Sequence, residues 1–113
     1  MSVSFSGFNN NTLTFKCSVA IDKGTPVMIY KSSTVIECND GESFHGIVVD
    51  SDSKYASVQV RGVVKMPYTG TAPATGYNSL GADGNGGVKL STSSVKYLIL
   101  DVDETENIVT FLM

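Results

Sequence analysis

Residues 55–66 read YASVQVRGVVKM. Ser57, Gln59 and Arg61 alternate with Val58 and Val60, a period of two that places polar and apolar side chains on opposite faces of a strand. At Gly62 the phase shifts, and Val63 and Val64 follow directly. An isolated Gly at a phase shift marks a bulge or a sharp bend. The stretch therefore predicts two strands joined at a glycine corner, and the chain on either side continues the pattern.

Upstream, residues 12–19 alternate, with Leu13, Phe15 and Cys17 on one side. The turn Asp22-Lys23-Gly24-Thr25 leads into an apolar run at 26–30, whose opening Pro is tolerated at a strand start. Residues 34–38 form the next strand, and Asn39-Asp40-Gly41 is a turn signal. Residues 44–50 follow, with Gly46 a candidate bulge. Downstream, residues 77–80, 88–90, 95–102 and 107–112 read as strands. In the last hairpin either Leu98, Leu100 and Val102 face the core with Ile108, Thr110 and Leu112, or the opposite parity does. Residues 88–113 lack Gly and Pro, but their β-branched content argues against a helix.

The whole chain agrees. It has 113 residues, of which 42% are apolar and 17% charged. Thirty residues are β-branched, against 5 Ala and 6 Leu, which favours sheets over helices. The expected fold is all-β: a single small β-barrel or β-sandwich of short antiparallel strands with long loops. Residues 1–20 are read as an N-terminal segment, a docking arm and first strand, and 21–113 as the β domain. Residues 67–76 change to Pro, Thr, Ala and Gly without charge, the longest loop of the chain.

Charge and motifs exclude several functions. Eight basic and eleven acidic residues give a net charge of −3. The Lys and Arg residues are scattered singly, so no basic run is present to neutralise phosphates, and no nucleic-acid partner is expected. No apolar stretch is long enough for a transmembrane helix, and no membrane partner is expected. The start MSVSFSGFNNN has neither a basic nor a continuous apolar region, so it does not read as a signal peptide. Cys17 and Cys38 read as free thiols packed as small hydrophobes, a disulfide being the alternative.

The candidate chemistry is thin. His45 is the only histidine, with Glu42 the nearest partner in sequence, and reads as a partly exposed strand residue. Asp50/Asp52 and Asp101/Asp103 do not start calcium loops. The sixth and twelfth positions hold Tyr55 and Arg61, or Glu106 and Leu112, where Gly and Glu are needed. Gly84-Asn85-Gly86-Gly87 lacks the lysine and following helix of a phosphate cradle. No catalytic residue, metal site or cofactor is expected.

One resemblance carries a functional expectation. Lys23-Gly24-Thr25-Pro26-Val27 is followed by Gly46-Ile47-Val48-Val49 and Val58-Gln59-Val60-Arg61-Gly62-Val63-Val64. Then come Tyr68-Thr69-Gly70-Thr71-Ala72-Pro73, Gly84-Asn85-Gly86-Gly87-Val88-Lys89 and the final hairpin. This order resembles the phage capsid decoration, or cement, proteins, a family formerly described as a domain of unknown function in phages and prophages. It covers about four-fifths of the chain. The resemblance implies a non-enzymatic virion protein, made in a bacterial cytoplasm. It would sit on the outer capsid surface, bind the major capsid protein, act as a homotrimer and stabilise the head. Residues 1–11 and 67–76 are the expected contact regions, with Phe5, Phe8, Pro67, Tyr68, Pro73 and Tyr77 as capsid-contact residues. Two other readings compete: a carbohydrate- or host-surface-binding β module using its tyrosines, and a small enzyme on a β-barrel, which one His and scattered acids do not favour.

Overall fold

The computed structural model describes residues 11–92 and 94–113. They form ten strands and no helix. Five strands, β1 (Asn11–Lys16), β2 (Pro26–Lys31), β3 (Thr34–Glu37), β4 (Gly46–Ser51) and β5 (Tyr55–Arg61), close a barrel in the order β1-β3-β2-β4-β5. The other five are β6 (Val63–Pro67), β7 (Gly76–Ala82), β8 (Val88–Leu90), β9 (Lys96–Asp103) and β10 (Ile108–Leu112). They form one sheet in the order β6-β10-β9-β7-β8. The fold is thus a barrel with a second sheet packed against it.

Gly62 is the corner between the two units. It has φ of 122°, a left-handed conformation that L side chains avoid. The Gln59 side-chain amide spans this corner, donating to the Arg61 and Val63 carbonyls at 3.3 Å each.

Two cores result. Cys17, Ile21, Val27, Val35, Val48, Ala56 and Val58 fill the barrel. Between barrel and sheet lies a larger cluster that includes Phe44, Ile47, Val64, Leu80, Ile99, Val109 and Phe111. Ile47 and Val48 are adjacent and both buried, one in each core. β4 is therefore covered on both faces, which is why GIVV shows no alternation.

The first strand pairs with β5 along residues 11–16. Two expectations change. Not all strands are antiparallel, because β1 meets β3 in parallel at Lys16 and Thr34. Gly46 is not a bulge: the register shift in this strand falls between Val48 and Asp50. The glycine is needed for close approach, since a Cβ there would overlap the Val58 side chain and lie 2.7 Å from the Gln59 carbonyl oxygen.

In the final hairpin neither predicted parity holds throughout. Val109 and Phe111 face the inter-sheet core from β10. On β9, Ile99 pairs with Phe111 while Asp101 pairs with Thr110, which leaves Leu100 as an extra residue. That bulge lets both Ile99 and Val102 turn toward the core.

Gly46→Ala is expected to destabilise the fold by about 1–3 kcal/mol through overpacking between β4 and β5. Urea unfolding of the two proteins measures the difference.

Candidate interaction surface

The polar groups that could carry chemistry are engaged with backbone. His45 lies just before β4 and is exposed. Its Nδ1 accepts the Ile29 N–H at 2.9 Å, while its own N–H donates to the Val27 carbonyl. The side chain thus continues the β2–β4 ladder past the end of their pairing at Val27 and Gly46. Glu42 accepts the Asn39 N–H at 2.6 Å.

The acidic pairs close turns. Asp52 accepts from Lys54 and Tyr55 N–H groups at 2.7 and 2.8 Å. Those two bonds hold its carboxyl below the usual range. Asp103 does the same for Thr105 and Glu106. The amides of the glycine-rich turn face inward, with Asn85 and Gly87 N–H donating to the buried Asp83 carboxylate at 2.7 and 2.9 Å. Among the described residues, no group of three His, Cys, Asp or Glu side chains converges as a metal site would require.

Both cysteines are free and buried, in different cores: Cys17 in the barrel and Cys38 between the sheets. Burial, aided by Glu42 and Glu37, pushes the Cys38 thiol up to about 12. That is the opposite of a reactive thiolate.

What the structure offers instead is a surface. The outer face of the second sheet, opposite its core, carries an apolar row across four strands. In register, Val63 on β6 lies opposite Leu112 on β10, Leu112 opposite Leu98 on β9, and Leu98 opposite Tyr77 on β7. Residues directly opposite share a face, and the row spans about 14 Å at the usual strand spacing. Val63, Leu98 and Leu112 are half-buried, and Tyr77 is 71% exposed. Lys65 and Asp101 are exposed on either side of Thr110 in the next row.

The sequence-predicted contact residues divide. Tyr77 stands in this row, and exposed Pro67 lies on the same face opposite Ile108. Tyr68 and Pro73 are buried and cannot serve as exposed anchors. Tyr68 joins the inter-sheet core, bridged to Val88. The loop between β6 and β7 is also tied down. The Thr69 N–H donates to the Val88 carbonyl, and the Asn78 side-chain amide to the Ala74 carbonyl. Phe5 and Phe8 lie outside the described residues.

Sequence reasoning does not mark Val63, Leu98 or Leu112 as contact residues, and it offers Leu98 and Leu112 as candidates for the core. Residues 98–100 are all apolar, so alternation does not say which of them faces out, and only the register does.

Alkaline stability tests the buried pair behind this sheet. Burial, then Cys38, pushes the Tyr97 phenol up to about 12. The ordinary values are 9.0 for the thiol and 10.0 for the phenol. Between pH 9 and 12 the unfolded chain therefore sheds protons that the native protein keeps, and stability falls as pH rises through that window. Below pH 9 these two groups contribute no slope. Urea midpoints measured across this window are expected to fall less steeply in Cys38→Ala than in the parent.

No protein-family model matches the chain, and no curated protein matches it.

Proposed function

We propose that this protein is a structural virion component that binds the outer surface of a phage head. In this reading it stabilises the capsid by bridging major capsid subunits, as a homotrimer, and has no catalytic role. The observation that carries the reading is the apolar row Leu112–Leu98–Tyr77 on the outer face of the second sheet, with exposed Pro67 on the same face. An exposed tyrosine beside half-buried aliphatic residues, with charges at the margin, has the make-up of a protein contact. A rigid sheet is a good base for such a contact, because little conformational entropy is lost on docking. The resemblance of the ordered series of stretches to capsid decoration proteins supports the same role. A shell repeats each contact many times, so modest affinity at one site yields large total stabilisation.

Co-sedimentation with expanded heads lacking their decoration protein tests the proposal. The parent protein is expected to bind in a fixed ratio. Tyr77→Ser is expected to bind about tenfold more weakly, the loss of one hot-spot side chain, while its unfolding midpoint changes little, since the ring is exposed. Absence of binding to heads, together with specific binding on a glycan array, would favour a carbohydrate-binding module instead.

A further inference from the structure

We propose that Asn85 is a site of spontaneous deamidation, in which water converts its side-chain amide to a carboxylate, and that the conversion loosens the turn built on Asp83. The chain contains one Asn-Gly pair, Asn85-Gly86, and two Asp-Gly pairs, Asp40-Gly41 and Asp83-Gly84. Each sets a side-chain carbonyl carbon next to a backbone nitrogen that no Cβ shields. That nitrogen is the nucleophile of the reaction, and the structure separates the three pairs.

Both Asp-Gly pairs are locked. The Gly41 N–H donates to the Ala82 carbonyl at 2.8 Å, and the Lys89 ammonium holds the Asp40 carboxylate at 2.6 Å. Asp83 is buried. Its carboxylate accepts the Asn85 and Gly87 N–H groups and the Thr69 hydroxyl. Asn85-Gly86 is open. Asn85 is exposed, and among the described residues neither its side-chain amide nor the Gly86 N–H makes a hydrogen bond. Gly84 and Gly86, which flank it, have φ of 81° and 84°. Glycine changes backbone conformation at little steric cost, so the Gly86 nitrogen is free to turn toward the Asn85 side chain. Other asparagines are worse placed. The Asn78 side-chain amide donates to the Ala74 carbonyl at 2.7 Å. Asn11, Asn39 and Asn107 precede Thr12, Asp40 and Ile108, whose side chains shield the attacking nitrogen.

The Gly86 nitrogen attacks the Asn85 Cγ and gives up its proton. A C–N bond forms, closing a succinimide ring, and the side-chain nitrogen leaves as ammonia with that proton. Water then opens the ring. Attack at the side-chain carbonyl gives aspartate, and attack at the backbone carbonyl gives isoaspartate. Nothing is oxidised or reduced, and water is the only co-reactant. Either product places a second carboxylate in the turn that Asp83 organises, where like charges repel. Isoaspartate also lengthens the main chain by one carbon, which draws the Gly87 N–H away from Asp83. Thr69 bonds both Asp83 and the Val88 carbonyl, so the change reaches the loop after β6. The inference is independent of capsid binding.

Incubation of the folded full chain at mildly alkaline pH, followed by ion exchange and mass mapping of tryptic peptides, tests the proposal. A form with one added negative charge is expected, with the change at residue 85. Asn85→Gln should not accumulate it, because the longer side chain closes the ring poorly. In the aged protein the Gly87 amide should exchange about tenfold faster than in the fresh one, the loss of one hydrogen bond to a charged group. Absence of conversion at residue 85, or conversion there only in urea, would overturn the proposal. Earlier conversion at another asparagine would overturn it as well. Equal Gly87 exchange in fresh and aged protein would overturn the loosening of the turn.

Discussion

The stacking of Phe44 on Tyr97 is the contact on which the relation between barrel and sheet depends. Their ring centroids lie 5.0 Å apart with planes 8° from parallel, and Phe111 meets Phe44 edge-on at 6.0 Å. Phe44 comes from the segment between β3 and β4, on the barrel side, while Tyr97 and Phe111 belong to β9 and β10. The Tyr97 hydroxyl donates to the Phe44 carbonyl at 3.0 Å, so the ring that fills the gap also satisfies a backbone acceptor. Phe44 and Phe111 are fully buried there, and aromatic rings are among the largest apolar side chains a core can bury.

Once that face of the second sheet is committed to the core, the opposite face follows from strand geometry. With Ile99 and Phe111 turned inward, Leu98 and Leu112 must turn outward, apolar as they are. Tyr77 joins them because it lies in register with Leu98. The outward-facing row is thus a consequence of how the core is packed. Tyr77 is its most exposed member, and Leu98 and Leu112 are half-buried beside it.

Much of the strand pattern was legible. The corner at Gly62, the strands before it and the turns at Asp22–Thr25 and Asn39–Gly41 could be read from alternation and turn chemistry. The site was less legible. Tyr68 and Pro73 sit in a stretch with loop composition, yet the isolated bridge from Tyr68 to Val88 draws that stretch against the core. Composition records solubility and turn preference; it does not record a long-range pairing twenty residues away. The parity of β9 was likewise hidden, because a bulge at Leu100 switches faces within a run of apolar residues.

The sequence by itself determined that this is an all-β protein with its strands divided at Gly62, because β-branched residues, period-two alternation and glycine corners are local properties of the chain. Only the tertiary structure decided that the first five strands close into a barrel while the last five remain an open sheet. It also decided that Leu98, Leu112 and Tyr77 are presented together. Closure and presentation depend on register between strands distant in sequence, and register is settled by which side chains pack in the core.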